Sequence, residues 1–364
     1  MLNVGCLILT FNFSLFVTLS VAEGHFSLFT FHFSLFTPFL TSSKYYIMTK
    51  YKSVTAFAPA SVANVGCGFD IMGFAVQGIG DTVTVSLQPD SDNSKITVTG
   101  TYGHLTPTER NKNTAGVAVN AYLQAIGKCD TGLNIILEKN MPLGSGMGSS
   151  AASSAAAVYA VNHLLGSPLS TRELIPFTME GERIACGSAH ADNVAPALLG
   201  GFVLIRSYNP LDIISVKGPD DLFAAVVHPH IELNTSDSRR VLNKEVSVAD
   251  AIIQSANTAG FMVALIKSDY ELMQRSMSDL LAEPRRTQLI PGYDAIKNAA
   301  MEAGSIGCGI AGSGPSIFAL CKGEPTAKLV VKVIQDGFSK IGLYNEGYVS
   351  QINAPGTCII NSVE

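Results

Sequence analysis

Residues 141–166, MPLGSGMGSSAASSAAAVYAVNHLLG, combine three closely spaced glycines with two serines and a run of small apolar residues. Gly144, Gly146 and Gly148 allow the backbone to approach an anion closely and to turn its N–H groups towards it. A helix that begins near Ser149 adds unpaired amide donors and the positive end of the helix dipole. The stretch therefore predicts a phosphate-binding loop, although an ordinary tight turn between a strand and a helix also fits the glycine spacing.

The loop differs from two common nucleotide-binding motifs. No G-K-[ST] follows the glycines, as a P-loop requires, and G-x-G-x-G is not the G-x-G-x-x-G of dinucleotide-binding folds. Because the loop has no lysine, we expect a divalent cation to neutralise the phosphates. The hydroxyl of Ser149 or Ser150 can cap the helix or bind that cation. We expect the small side chains that follow to leave room for a ligand along the first turns.

The carboxylate ligand for such a cation is sought in LIPFTMEGERIACG, residues 174–187, which contains Glu180 and Glu182. Two positions on a helix are about 200° apart, so the two acids cannot serve one site. Glu182 shares an otherwise apolar face with Met179 and Cys186, with no cation at helical spacing. A buried carboxylate there needs a partner, which is either a bound cation or a distant arginine. Glu180 is expected to face solvent.

The pattern around these residues predicts alternating strands and helices. We expect strands at 53–64, where the pattern leads into a turn, and at 81–89, 94–100, 132–140, 223–229 and 316–321. We expect helices at 113–127, after the capping-box sequence STRE at 170–173, at 250–277, at 292–304 and at 327–342. Asn113 or Thr114 is the predicted cap of the first helix. Both halves of the chain are therefore α+β, with a domain boundary near residue 207.

Composition narrows the class of protein. The chain has 364 residues, 47% hydrophobic and 15% charged, which favours a well-packed protein of two domains and excludes a disordered one. The net charge of -5 and the absence of a basic run argue against a nucleic-acid partner and favour a small molecule. The seven cysteines form no C-x-x-C or Cys/His cluster, so neither a zinc site nor a disulfide framework is predicted. A cytoplasmic enzyme is expected.

The first 47 residues differ from the rest of the chain. They contain one acid and one base, and FSLFT occurs at 26–30 and again at 33–37. Residues 5–22 are long and apolar enough for a signal peptide or a membrane span, but no positive charge precedes them. Met48 is a credible first residue for a cytosolic enzyme. We interpret residues 1–47 as an extension outside the functional enzyme, with a targeting segment as the alternative, and expect no membrane association.

Three segments resemble, in the same order, the motifs of the GHMP kinases. PLGSGMGSSAASSAA (142–156) is similar to the phosphate-binding motif of that family, APASVANVGCGFDIMGFA (58–75) precedes it, and GIAGSGPSIFAL (309–320) follows it. The resemblance covers about residues 50–355. It implies ATP-dependent phosphorylation of a hydroxyl group by an α+β, two-domain GHMP kinase fold. The implied domains are a ribosomal protein S5 domain 2-like N-terminal domain over 48–206 and a ferredoxin-like C-terminal domain over 207–364.

The segments HADNVAPALLGG (190–201) and EPRRTQLIPGY (283–293) are most similar in sequence to the branch of the family that phosphorylates L-homoserine. The implied reaction uses Mg²⁺ and ATP to make O-phospho-L-homoserine, a step towards threonine, and the resemblance is compatible with a homodimer. One alternative is a GHMP kinase of the mevalonate or shikimate type. Another is a non-catalytic protein of the same fold, which would be expected to lose the loop glycines or the metal ligands.

The resemblance also implies roles for individual residues. Mg²⁺ ligands are implied at Ser150 and Glu182. Nucleotide contacts are implied at Asn113, Pro142, Leu143, Gly144, Ser145, Gly146, Met147, Gly148, Ser149, Ser150 and Ala151. Substrate contacts are implied at Asn64, Asp70, His190, Asn193, Arg239, Arg286 and Gly312. An arginine fork suits a carboxylate and Asp70 suits an ammonium group. The alternative is that Asn64 and Asp70 only form a turn and that the arginines are solvated surface residues. Arg240 and Arg285 are not expected to contact the substrate.

Asn193 implies an unusual mechanism. Several GHMP kinases have an aspartate base where this sequence has Asn193, and an amide cannot accept the substrate proton. The resemblance therefore implies direct attack of the hydroxyl on the γ-phosphorus, with Ser150, Glu182 and Asn193 as the catalytic set. Asp192 as the base is the alternative, and either residue could instead cap a short helix before Pro196.

Overall fold

The computed structural model of the chain describes residues 49–88, 95–187 and 189–364. All of them belong to one compact unit that spans Ile47–Glu364. The extension proposed for residues 1–47 lies outside the described residues, so that interpretation stays a prediction.

The described strands are β1 (Ser53–Ala63), β2 (Met72–Leu87), β3 (Thr97–Thr99), β4 (Leu133–Glu138), β5 (Phe202–Tyr208), β6 (Leu211–Val216), β7 (Leu222–Pro229), β8 (Gly307–Ile310), β9 (Ile317–Lys322), β10 (Asn345–Gln351) and β11 (Cys358–Val363). The described α-helices are α1 (Thr114–Ala125), α2 (Ser149–Leu164), α3 (Ile175–Cys186), α4 (Val194–Leu199), α5 (Thr235–Arg240), α6 (Val248–Lys267), α7 (Tyr270–Ser276), α8 (Glu283–Arg286), α9 (Tyr293–Glu302) and α10 (Glu324–Lys340). Short 3₁₀ turns cover Gly103–Leu105, Thr171–Leu174 and Thr287–Leu289.

Two sheets organise these elements. The first has seven strands, with β11-β1-β2-β4-β3 in order and the hairpin of β5 and β6 attached to β2. The second has four strands in the order β10-β7-β9-β8 and is antiparallel throughout. Alternate residues of β4 and of the first half of β1 point into the core of the first sheet, as expected for strands with one buried face, and the second half of β1 is buried throughout.

The predicted domain boundary at residue 207 falls inside the hairpin of β5 and β6. The chain passes from the first sheet to the second between Val216 and Leu222, and β11 then returns to pair with β1. The two sheets are therefore not formed by two uninterrupted halves of the sequence, and the placement of the boundary stays a proposal.

The first helices begin where their capping residues predict. Asn113 precedes α1, and its side-chain oxygen accepts a hydrogen bond from the N–H of Ala115 at 3.0 Å. Ser170 and Glu173 form the expected capping box ahead of α3. The helix predicted over 250–277 is instead two helices, because Ser268 adopts a left-handed conformation (φ 56°) and Asp269 caps α7. β5, β6, β8, β10 and β11 have no counterpart among the sequence predictions.

The small residues of α2 have a different role from the one predicted. Ala151, Ala152, Ala155 and Ala156 are fully buried, so they do not offer open space to a ligand. They let α2 pack closely against neighbouring elements, and a Cβ at Gly181 of α3 would overlap the hydroxyl of Ser154. The expected ligand space is present only beside Ser149, Ser150 and Ser153, which line a cavity. Close helix packing is the physical reason for the alanines.

Among the described helices, α6 is long and apolar enough to cross a membrane by length and composition alone. It packs through Gln254, Phe261, Ala264 and Leu265, and the side chain of Gln254 donates a hydrogen bond to the carbonyl of Cys67 at 2.8 Å. Because helices that pack on a protein core can share this composition, the feature is weak evidence for a membrane segment.

Candidate active site

A cavity of about 310 Å³ opens at the N-terminal end of α2, beside the glycine loop. Most of the predicted site residues line it: Asn64, Asp70, Asn113, Leu143, Gly144, Ser145, Gly146, Gly148, Ser149, Ser150, Glu182, His190, Asn193, Arg239, Arg286 and Gly312. Pro142, Met147 and Ala151 do not line the cavity and are buried. The cavity therefore brings together residues that are far apart in the sequence.

The glycine loop has the conformation that only glycine adopts readily. Gly144, Gly146 and Gly148 all have positive φ, at 61°, 77° and 68°. A Cβ on Gly146 would lie 2.5 Å from the carbonyl oxygen of Ala311 and 2.6 Å from that of Gly314. The helix begins at Ser149 as predicted, but the expected serine cap is wrong. The N-cap is Gly148, without a side-chain hydrogen bond.

The segment AGSGPS, residues 311–316, braces this loop. The hydroxyl of Ser316 donates a hydrogen bond to the carbonyl of Ser145 at 2.7 Å. The N–H of Gly312 donates to the carbonyl of Ala63 at 3.1 Å, which ties the same segment to the end of β1. The late glycine motif is thus in direct contact with the phosphate-binding loop.

Ser150 and Glu182 lie in direct contact at the cavity wall. The hydroxyl of Ser150 donates a hydrogen bond to Oε1 of Glu182, and Glu182 is 6% exposed. Burial raises the pKa of Glu182, while the Ser150 hydrogen bond and the charge of Lys139 oppose that change. Glu180 points away and pairs with Arg183 at 3.0 Å on an exposed face. The helical rotation between the two glutamates therefore separates their roles, as the sequence predicts.

The donor set at Ser150 and Glu182 fits Mg²⁺. A hydroxyl and a carboxylate oxygen face one cavity, and Mg²⁺ at nucleotide sites takes one or two carboxylates and completes its shell with phosphate oxygens and water. No cluster of three or more His, Cys, Asp or Glu residues that could hold a metal occurs in the part of the chain that the structure describes. The geometry therefore suits a cation that binds together with phosphates.

Lys139 is a charged residue beside the cavity that the sequence interpretation did not identify. Its ammonium group forms a buried ion pair with Asp81 and donates to the carbonyl of Ser149 at 2.8 Å and to the hydroxyl of Ser153 at 2.9 Å. All three of its N–H donors are thus used. The loop itself holds no lysine, but one lies beneath it. The available signal was its position one residue after β4, where continued alternation places Lys139 on the same inward face as Leu137.

The predicted acceptor residues pair with one another. Arg239 donates two hydrogen bonds to the carboxylate of Asp70, at 2.8 and 3.2 Å. Arg286 is 2% exposed and donates to the carbonyl of Gly312 at 2.8 Å. Arg240 instead pairs with Asp237 at the surface, which agrees with its incidental role. The basic and acidic groups that would recognise an amino acid lie side by side in the cavity.

Asn64 and Asp70 form the turn that the alternative interpretation predicts, and both also line the cavity. Both have positive φ, at 73° and 60°, so they form the turn between β1 and β2. The side chain of Asn64 also accepts a hydrogen bond from the N–H of Asp70 at 3.0 Å and donates to the carbonyl of Gly312 at 2.8 Å. The turn therefore fixes two cavity-lining side chains.

Asp192 and Asn193 occupy different environments in the same cavity. The side-chain oxygen of Asn193 accepts a hydrogen bond from Ser61 at 2.9 Å and makes no capping hydrogen bond to α4. Asp192 is 4% exposed, and its Oδ1 has no hydrogen-bond partner among the described residues. Burial, followed by the charges of Asp70 and Glu182, raises the pKa of Asp192 to about 7. Burial lowers the pKa of His190.

Comparison with known proteins identifies the family. The profile of the GHMP kinases N terminal domain matches residues 113–201, and that of the GHMP kinases C terminal domain matches residues 261–340. A homoserine kinase from Chlorobaculum tepidum is 47% identical over 322 residues, which cover 85% of this chain and 99% of the relative. The chain belongs to the homoserine kinase family of the GHMP kinases. The resemblance seen in the three motifs is confirmed.

Other homoserine kinases agree with this assignment. A homoserine kinase from Arabidopsis thaliana is 39% identical over 317 residues, 85% of each chain. The crystal structure of a homoserine kinase from Cytophaga hutchinsonii has a TM-score of 0.82 at 46% identity and covers 86% of this chain and 98% of that one. A mevalonate kinase from L. major, at a TM-score of 0.62 and 14% identity, shares the fold alone. The α+β GHMP kinase fold is confirmed.

Proposed function

We propose that this protein transfers the γ-phosphoryl group of ATP to the side-chain hydroxyl of L-homoserine, which yields O-phospho-L-homoserine and ADP. The observation that carries the proposal is the composition of one cavity. An anion-binding loop lies on one side, and a carboxylate with two arginines lies on the other. Membership of the homoserine kinase family implies ATP as the phosphoryl donor.

The nucleotide binds along the glycine loop. The N–H groups from Gly144 to Ser150 and the start of α2 provide donors and partial positive charge for the triphosphate. Asn113, at the start of α1, contacts the adenine side. Ser150 and Glu182 hold Mg²⁺, which when bound neutralises charge on the transferring phosphate. The ammonium of Lys139 lies beneath the loop, where it pairs with Asp81 and supports the loop through hydrogen bonds to Ser149 and Ser153.

The acceptor is a zwitterion. The guanidinium groups of Arg239 and Arg286 bind its carboxylate, and Asp70 binds its ammonium, with His190 and Asn193 completing the pocket. The pairing of Asp70 with Arg239 supports this reading, because a substrate that carries both charges compensates both partners when it enters. Mevalonate brings a carboxylate without an ammonium group and would leave Asp70 uncompensated.

The hydroxyl attacks the γ-phosphorus without a base at Asn193. Ser61 already donates to the side-chain oxygen of Asn193, so the amide is oriented in the cavity, and an amide does not accept a proton. The proton leaves to a phosphate oxygen or to solvent. Asp192 supports a second candidate mechanism, because its pKa near 7 and its unpartnered oxygen suit a general base.

An ADP-release assay tests the function. L-homoserine, mevalonate, shikimate and galactose are supplied separately with ATP and Mg²⁺, and EDTA serves as the control. We expect turnover with L-homoserine at least about 100-fold above the others and none after chelation. Comparable turnover with mevalonate, or magnesium-independent activity, would contradict the proposal. A cytoplasmic location and a homodimer stay predictions.

A further inference from the structure

The aromatic ring of Phe69 lies close to both arginines of the candidate acceptor site. The guanidinium carbon of Arg286 is 5.4 Å from the ring centroid, and that of Arg239 is 5.9 Å from it. Both distances are within the range of a cation–π interaction. Phe69 is half-buried in the turn between β1 and β2 and is not part of either hydrophobic core of the described residues. Two guanidinium groups therefore lie within cation–π range of one ring.

The two arginines carry like charges in a poorly solvated place. Arg286 is 2% exposed, and burial, followed by the charge of Arg239, lowers the pKa of Arg286 to about 10. Asp70 compensates Arg239 directly. Arg286 donates hydrogen bonds to two neutral carbonyls, those of Gly312 and Ser238. The negative face of an aromatic ring offers both guanidiniums further stabilisation.

The turn that carries the ring is held from several directions. The N–H of Asp70 donates to the side chain of Asn64 at 3.0 Å, and the hydroxyl of Tyr208 donates to the carbonyl of Asp70 at 2.8 Å. Phe69 is therefore presented by a fixed backbone and not by a loose loop. A ring on such a support can define where flexible arginine side chains come to rest.

We propose that Phe69 is a positioning residue that holds Arg239 and Arg286 together as a preformed clamp for the carboxylate of the acceptor amino acid. The inference rests on the proposed function. The ring stabilises two neighbouring cations before substrate binds. Both guanidinium groups are therefore already in position when the substrate carboxylate arrives. Because the arginines act on the acceptor and not on ATP, loss of the ring weakens acceptor binding selectively.

Two variants test the role of the ring. Phe69→Leu keeps an apolar side chain without a π face, and Phe69→Tyr keeps the ring. We expect Phe69→Leu to raise the KM for L-homoserine about tenfold, with kcat and the KM for ATP changed less than about threefold. Phe69→Tyr should stay within about threefold of the wild type in all three constants. Equal effects of the two variants would overturn the inference. So would a Phe69→Leu variant in which kcat falls and the KM for ATP rises as much as the KM for L-homoserine does.

A measurement without substrate separates this inference from the proposed function. Phe69→Leu is made in the native background and in Arg239→Met, and thermal unfolding is followed in all four proteins. We expect the lowering of Tm by Phe69→Leu to be at least about twice as large in the native background, because Arg239 is then present to lose its ring contact. Equal lowering of Tm in the two backgrounds would contradict a stabilising contact between the ring and Arg239. A wild type that binds and turns over no L-homoserine overturns the proposed function instead.

Discussion

The hydroxyl of Ser150, in the first turn of α2, donates a hydrogen bond to Oε1 of Glu182 in the middle of α3. Two helices thereby present a hydroxyl and a carboxylate at one point of the cavity wall. The carboxylate is 6% exposed, and this burial disfavours its charged form. A divalent cation at this point would stabilise Glu182 and neutralise phosphate at the same time.

Glu182→Gln tests that arrangement. The amide keeps the size of the side chain but loses its charge. We therefore expect kcat to fall at least about 100-fold and the Mg²⁺ concentration needed for half-maximal activity to rise. ADP release at varied Mg²⁺ concentration measures both effects. Glu180→Gln is the matched control on the same helix, since Glu180 only pairs with Arg183 at the surface. Similar losses in the two variants would contradict a metal-binding role for Glu182.

Gly146→Ala tests the close approach of the loop to the segment 311–316. The added Cβ meets two carbonyl oxygens at 2.5 and 2.6 Å and also requires a positive φ, so we expect the Kd for ATP to rise at least about tenfold. Gly127→Ala is the control, because Gly127 has φ 68° with no atom within 4 Å of an added Cβ. It should cost about 1 kcal/mol of unfolding free energy without changing ATP affinity, measured by calorimetry. Unchanged affinity in Gly146→Ala would contradict the assignment of the loop.

Lys139→Met tests the ion pair beneath the loop. Removal of the ammonium leaves the carboxylate of Asp81 buried without its partner, so we expect the free energy of unfolding to fall by about 3–5 kcal/mol. Lys139→Met combined with Asp81→Asn should recover much of that loss. The asparagine oxygen can still accept the N–H groups of Asn140 and Met141, which donate to Asp81 at 3.0 Å. Urea unfolding measures both, and a double variant less stable than the single one would contradict this account.

The pH dependence of stability tests the environment of Asp192. A carboxyl whose pKa is raised to about 7 binds more protons in the folded protein than in the unfolded one, so stability falls as pH rises from about 4 to about 7. Asp192→Asn removes this effect. The variant should be more stable than the wild type by up to about 4 kcal/mol at pH 8, and equally stable at pH 4. A stability difference that does not change with pH would show that Asp192 titrates normally.

The kinetic effects of the neighbouring residues separate the two proton-transfer mechanisms. If the hydroxyl attacks without a base, Asp192→Asn should retain kcat within about tenfold, because no proton is transferred to Asp192. Asn193→Ala should then lower kcat or raise the KM for L-homoserine by about tenfold or more through lost positioning. Single-turnover measurements at saturating ATP report the chemical step. Abolished turnover in Asp192→Asn with activity retained in Asn193→Ala would assign Asp192 as the base.

Local periodicity predicted the parts of the site that depend on one element at a time. The positions of Asn113 and Ser149 at helix starts and the separation of Glu180 from Glu182 follow from capping chemistry and helical rotation. The residues brought in from distant segments, such as Arg239 and Arg286, came from the family resemblance. Spacing alone could not distinguish those arginines from solvated surface charges.

Features that depend on tertiary neighbours could not be predicted in this way. The alanines of α2 looked like ligand space because composition shows that side chains are small, but not what packs against them. Lys139 was missed because its partner, Asp81, lies on another strand. The break between α6 and α7 depends on the left-handed backbone of Ser268, which serine does not usually adopt. The pairing of β11 with β1 joins the two ends of the described chain.

The most direct test of the central claim is a crystal structure of the protein with Mg²⁺, a non-hydrolysable ATP analogue and L-homoserine. We expect the triphosphate on the N–H groups of residues 144–150, the metal on Ser150 and Glu182, and the amino acid between Asp70 and the two arginines. A nucleotide bound away from residues 144–150, or a metal without contact to Glu182, would contradict the account.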